Sequence, residues 1–201
     1  MKVIGLTGGT GAGKGCVSTK FLQYNINSLD TDKVSREVCA KGTPCLKELV
    51  DIFGEIILNE DGTLNRKQLG SIVFSDREKL KVLNSISHRY ILDASRKWLD
   101  TQKADGRIAA IIDAPLLYES GFDSECDTVI AVISDKAIRS QRITARDNIS
   151  TDDANKRMSN QGDDAFYTQK ADYVITNNGS LDELDSQIEH IYNDLFGKKN
   201  G

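Results

Sequence analysis

The chain has 201 residues, 39% hydrophobic and 28% charged with two prolines, an ordinary globular composition for one domain or one domain with a sizeable insertion. A formal net charge of −4 argues against nucleic acid or an anionic membrane as the main partner, and no apolar run approaches the roughly 18 residues of a membrane helix. Four scattered cysteines and two histidines are too few and too dispersed for a structural zinc site. They read as reduced thiols of a cytoplasmic protein without an export signal.

The chain opens with Lys2–Thr7 (KVIGLT), a short β-branched run ahead of glycines that predicts a buried strand. A helix is expected from Lys14 to about Tyr24, then a second strand over Ile26–Asp30. From Asp32 to Ala104 the pattern is mostly helical with no convincing strand. That is too long for a simple crossover, so it predicts a helical insertion covering the site. Within it, Leu83, Ile86, Tyr90, Ile91, Ala94 and Trp98 recur at three- and four-residue steps, which predicts a helix over Lys79–Thr101 with a break near His88.

Three compact apolar runs follow, Arg107–Asp113, Asp127–Ile133 and Asp172–Thr176, each suited to a strand buried on both faces of a parallel sheet. A polar, mobile-looking stretch lies at 147–171. The last helix starts at a capping box, Ser180 with Glu183, and carries Leu184, Ile188, Ile191 and Leu195 along one stripe. Strands alternating with helices predict an α/β fold whose ligand binds at the carboxyl ends of the strands.

The most informative stretch is GGTGAGKGC, Gly8 to Cys16, between the first strand and its helix. It matches the phosphate-binding spacing G-x-x-x-x-G-K, in which backbone N–H groups converge on a phosphate at a helix mouth and the lysine adds a full charge. The hydroxyl that normally follows the lysine and reaches magnesium is missing: Gly15 and then Cys16 stand there. A soft sulfur suits magnesium poorly, so the metal must lean on water, phosphate oxygens and a carboxylate from another strand end. Nucleoside-monophosphate-type kinases resemble this loop in carrying a glycine after the lysine.

Asp30 and Asp32 stand at the end of the second strand, where one can serve magnesium and the other accept a proton. The bland alternative is that either caps the next helix, near Lys33. Asp113 ends the third strand where a Walker-B-like carboxylate would sit, or is simply a turn residue before Pro115. Arg139, Arg142 and Arg146 share one helical face and, with Arg157, suit a phosphate clamp; the other reading is a solvated basic face paired with Asp135 or Asp147. His88 on its amphipathic helix reads first as a satisfied structural residue.

Taken together, GLTGGTGAGKG, LDTDKVSREV, KGTP, DGTLNRKQLG, LNSISH, DAPLLYESG, QRITARD and DYVITNNGS resemble dephospho-CoA kinases nearly end to end, from Val3 to about Leu195. The resemblance implies a three-layer P-loop kinase core with a parallel five-stranded sheet. In a single domain over 1–201, the core would comprise about 1–32 and 105–201, a helical CoA-side insertion about 33–104 and a lid about 147–171. It implies ATP- and magnesium-dependent phosphorylation of the ribose 3′-hydroxyl of dephospho-CoA, a small-molecule substrate, by a monomer or weak oligomer.

By motif position, Asp32 would be the general base, acting with Lys14 and Arg142. Gly9, Thr10, Gly11, Ala12, Gly13, Lys14, Gly15 and Cys16 would hold ATP with Arg146, Asn177 and Gly179. Arg36, Asn65, Arg66, His88 and Leu116 would lie on the dephospho-CoA side, and Asp30 and Asp113 are the magnesium candidates. The chain departs from the family at Gly15-Cys16, usually Ser-Thr, and at Tyr167-Thr168, where many relatives carry a basic pair. A GTP-dependent switch is disfavoured because N-K-x-D is absent from the late segment TNNGSLD.

Overall fold

The computed structural model describes Met1 to Gly197; positions 198–201 of the expected domain lie outside the described residues. In chain order the elements are β1 (Lys2–Thr7), α1 (Lys14–Phe21), β2 (Asn27–Asp30), α2 (Thr31–Val38), α3 (Pro44–Phe53), α4 (Arg66–Val73) and α5 (Arg77–Ala104). There follow β3 (Ala109–Asp113), β4 (Thr128–Ile133), α6 (Lys136–Asp147), α7 (Thr151–Ser159), α8 (Asp164–Thr168), β5 (Tyr173–Thr176) and α9 (Leu181–Phe196). They form two units: an α/β unit of Met1–Leu29 with the chain from Gln102 onward, and a helical unit of Asp30–Thr101.

The α/β unit is built on a five-stranded sheet in the order β2-β3-β1-β4-β5, and the ladders that flank β1 and join β4 to β5 are parallel. Every residue of β3 is buried, as expected of strands covered on both faces. On one face Ile4, Leu6, Ala109, Ile111, Ile130 and Val132 pack with Val17 and Phe21 of α1 and Leu184, Ile188 and Ile191 of α9. On the other face Gly5 lies so close to Leu117 that a Cβ would sit 2.7 Å from its methyl carbon, which is why a glycine occupies mid-strand. The chain places β3 on one side of β1 and β4 on the other, so the topological switch point falls at the carboxyl end of β1. The glycine loop starts there.

The helical unit has its own core of Cys39, Cys45, Leu49, Ile57, Leu69, Val73 and Ile86. Its helices begin at side-chain caps. Asp30 accepts from the N–H groups of Asp32 and Lys33, Thr43 from Leu46 with Pro44 just inside α3, Asn65 from Gln68, and Asp76 from Glu78 and Lys79. Each such cap is worth about 1 kcal/mol. In the DGTLN stretch, Gly62 takes a positive φ of 78° and Asp61 accepts from both the N–H and the hydroxyl of Thr63. Those two bonds hold the Asp61 carboxyl below the usual carboxylate range.

Several expected boundaries move. The break near His88 does not exist: α5 runs unbroken from Arg77 to Ala104, with the Ser85 and Ser87 hydroxyls donating to carbonyls three and four residues back along the same helix. The helix expected from Lys14 to Tyr24 is α-helical only to Phe21, then tightens to a 3-10 turn, Leu22–Tyr24, that ends at Asn25 with φ 60°. The helix expected near Lys33 begins at Thr31, immediately after its Asp30 cap. The polar 147–171 stretch contains α7 and α8, capped by Ser150 and Asp163.

Candidate active site

The phosphate loop is shaped by three glycines that no L-residue replaces without strain: Gly8, Gly11 and Gly13 take φ of 141°, 79° and 101°. Space is equally restrictive. A Cβ on Gly8 would lie 2.1 Å from the Val132 carbonyl oxygen, and one on Gly13 would lie 2.1 Å from the Asn177 amide nitrogen.

The surroundings take up the loop carbonyls one by one. Lys14 Nζ donates to the Gly8 oxygen at 3.3 Å, the Ala12 N–H to Gly9 at 3.1 Å and Arg139 Nε to Thr10 at 2.9 Å. Arg142 Nη1 reaches the Gly11 and Ala12 oxygens at 3.4 Å, and Asn177 Nδ2 donates to Ala12 at 2.8 Å. Arg142 is itself fixed by the Ser134 hydroxyl and the Asn177 carbonyl. Among the described residues no protein acceptor takes up the N–H groups of Gly11, Gly13, Lys14 or Gly15. With the carbonyls tied into the protein, these donors gather at the amino end of α1, where the helix dipole also favours an anion. The arrangement suits a phosphate chain.

Gly15 and Cys16 are exposed, and a Cβ on Gly15 would meet nothing within 4 Å. The next hydroxyls, Ser18 and Thr19, both donate to the Gly15 carbonyl. The buried carboxylate of this unit near the strand ends is Asp113, the last residue of β3, paired in register with Leu6 of β1. Among the described residues no group of three or more His, Cys, Asp or Glu side chains could hold a metal ion by itself.

The four arginines do not form one clamp. Arg139 and Arg142 turn into the loop, whereas Arg146 and Arg157 converge on Asp147 at 2.7 and 2.6 Å. The Asp147 carboxyl is held below its usual range, first by its bond from Arg146. Asn177 is buried beneath the loop, while Gly179 is exposed beside the capping box of α9. Two contributors carried no local signal. Ser134 lies just past β4, and Gln161 Oε1 accepts from the Thr10 N–H at 2.7 Å across 151 residues of sequence. Only the folded chain brings them to the loop. Leu116, in the segment after β3, is exposed.

The remaining expected residues belong to the helical unit. Asp32 and Arg36 are exposed on α2, and Asp30 spends one carboxylate oxygen on the α2 cap. Asn65 caps α4 and Arg66 donates to the Ser35 carbonyl at 3.3 Å. His88 is half-buried on α5, and burial alone pulls its imidazole pKa below the ordinary 6.5.

The family model described as dephospho-CoA kinase matches residues 2–183. The chain is 36% identical over 193 residues to a dephospho-CoA kinase of Corynebacterium efficiens, covering 96% of each chain. It is 39% identical over 191 residues to one of Listeria monocytogenes, covering 93% of this chain and 94% of that one. The crystal structure of TT1252 from Thermus thermophilus superposes with a TM-score of 0.82 at 27% identity, covering 98% of both chains.

Proposed function

Because the chain belongs to the dephospho-CoA kinase family, we propose that it transfers the γ-phosphoryl group of ATP to the ribose 3′-hydroxyl of dephospho-CoA, giving coenzyme A and ADP in the last step of coenzyme A synthesis. The observation that carries the reading is the loop, whose carbonyls are bonded inward while the N–H groups of Gly11, Gly13, Lys14 and Gly15 have no protein acceptor among the described residues. Phosphoryl transfer asks mainly for positioning and charge neutralisation, and this loop supplies both.

The residue roles follow. The loop from Gly9 to Cys16 holds the β- and γ-phosphates, and Lys14 neutralises charge on their oxygens. Arg142 and Asn177 keep the loop in its binding shape through Gly11 and Ala12. Asp32 accepts the proton as the acceptor oxygen bonds to phosphorus and the bond to the ADP oxygen breaks. Arg36, Asn65, Arg66, His88 and Leu116 serve the dephospho-CoA side, and Arg146 and Gly179 the ATP side. The helical unit Asp30–Thr101 is then the acceptor-binding part and 147–171 the lid. Asp113, with Asp30 as a further candidate, would hold magnesium alongside water, and the ion would supply charge neutralisation for the phosphates. The acidic charge balance and four free thiols fit a cytoplasmic enzyme acting on a small molecule.

The test is ADP release with ATP and magnesium against a panel of acceptors. Turnover is expected with dephospho-CoA, with the new phosphate on the 3′-oxygen by phosphorus NMR. Turnover with a nucleoside monophosphate and none with dephospho-CoA overturns the acceptor assignment.

A further inference from the structure

Arg139 is 7% exposed, yet among the described residues its carboxylate partner is Asp164 alone, at 3.4 Å and itself half exposed. Its Nε donates to the Thr10 carbonyl, and its Nη2, fully buried, has no hydrogen-bond partner among the described residues. The guanidinium lies against the Gly9 backbone so closely that a Cβ there would sit 2.3 Å from Nη2. The opposite side of Thr10 is fixed as well, its N–H donating to Gln161. A buried cation with one long carboxylate contact and an idle donor is costly to the folded protein unless negative charge arrives nearby.

The charge arrives at the same loop. We propose that Arg139 is a positioning residue for the nucleotide's polyphosphate: a cation held behind Gly9 and Thr10 that fixes the loop and is electrostatically completed when the phosphates bind on the loop's N–H groups. The proposal rests on the nucleotide-site reading above and not on the identity of the acceptor. Arg139 touches the loop backbone and acts through it, so its effect scales with ligand charge. It also accounts for Gly9, which leaves room for the guanidinium.

Binding is measured by calorimetry with ATP, tripolyphosphate and adenosine, without acceptor, on the wild type, Arg139→Gln, Arg139→Lys and Asp164→Asn. Arg139→Gln is expected to weaken ATP and tripolyphosphate about tenfold or more while adenosine changes less than about twofold. Its ligand-free melting temperature should be unchanged or higher, because an under-compensated buried charge has been removed. In turnover, KM for ATP should rise with kcat at saturating ATP largely kept, and Arg139→Lys should recover much of the affinity. Asp164→Asn keeps the arginine and removes its counter-ion, so ATP should bind as tightly or more tightly.

A purely structural tether predicts the reverse: a lower melting temperature for Arg139→Gln, equal losses for ATP and adenosine, and weaker ATP binding for Asp164→Asn. That pattern overturns the proposal. If Arg139→Gln does not fold, weaker ATP binding by Asp164→Asn suffices to overturn it. A protein that binds ATP with this arginine dependence but ignores dephospho-CoA would refute the acceptor assignment and leave the role of Arg139 standing.

Discussion

The two units hold their candidate residues by different kinds of bonds. In the α/β unit the loop is fastened by partners far away in sequence: Thr10 to Gln161 across 151 residues, Ala12 to Asn177 across 165 and Gly11 to Arg142 across 131. In the helical unit the fastening is mostly local, the bond from Arg66 to the Ser35 carbonyl across 31 residues being an exception. Asp30 bonds to N–H groups two and three residues on, Asn65 to one three residues on, and Asp32 and Arg36 project from α2 into solvent. The first arrangement builds a shape, so a substitution there disturbs geometry before it disturbs chemistry. The second presents functional groups on helices that stand by their own caps and core, so chemistry can be removed with the fold left intact.

Asp32→Ala tests that difference most severely. The side chain is exposed and caps nothing, so the melting temperature should change little beyond the loss of one acidic residue from the first turn of α2, about 0.5 kcal/mol. As general base, its removal should lower kcat about 10²- to 10⁴-fold while the Kd for ATP stays within about twofold. Stopped-flow turnover and calorimetry on the same preparation give both numbers. Near-full kcat would remove Asp32 from the chemistry, and an equal loss of ATP affinity would show that the two units' roles do not separate.

Gly8→Ala probes the opposite kind of site. The residue combines a φ of 141° with a backbone carbonyl, that of Val132, where the new methyl must go. Strain and overpacking together should cost about 3 kcal/mol, read by denaturant unfolding, with ATP binding lost alongside. Preserved stability would mean the loop deforms easily, and the account of it as a prebuilt cradle would have to go.

What the sequence disclosed follows the same division. The strand–glycine–helix spacing from Lys2 to Phe21 was readable because its backbone signals are local, positive-φ glycines and a helix amino terminus, although the partners that fasten the loop are distant. The parallel sheet was readable from β3 and β4, whose largely apolar runs are buried almost throughout; β5, expected to be buried on both faces, is an edge strand that buries only Ile175. The split of the arginines was not. On a helical wheel Arg139, Arg142 and Arg146 share a face, and only packing decides that the first two turn into the loop while Arg146 meets Asp147. Nor could spacing reveal Gln161, a single glutamine in a polar stretch, or the continuity of α5 through His88.

His88 offers a quieter test within the helical unit. Burial favours its neutral form, so its folded pKa lies below the unfolded 6.5, and on acidification the unfolded chain takes up the proton first. The stability this confers is present above 6.5 and is lost as pH falls from there through the lowered folded value. His88→Gln should flatten that part of the melting-temperature profile, which is read by thermal melts across the acidic range. A profile unchanged below 6.5 would mean the imidazole is protonated as easily in the folded protein as outside it.

Gly15→Ser should disturb the fold least, and it returns to the loop from the other side. Unlike Gly8, Gly11 and Gly13, Gly15 has no positive φ, and a Cβ there meets nothing within 4 Å. Serine is also the better helix former, so unfolding free energy should move by no more than about 0.5 kcal/mol, toward stability. Its consequence should be metallic: a hydroxyl one residue after Lys14 gives magnesium a hard oxygen ligand that neither Gly15 nor Cys16 provides. The magnesium concentration for half-maximal ADP release should fall a few-fold, by roughly the 0.5–1.5 kcal/mol of one added polar contact. If the titration curve does not shift, the metal is held without help from this position, and Asp113, phosphate oxygens and water are sufficient.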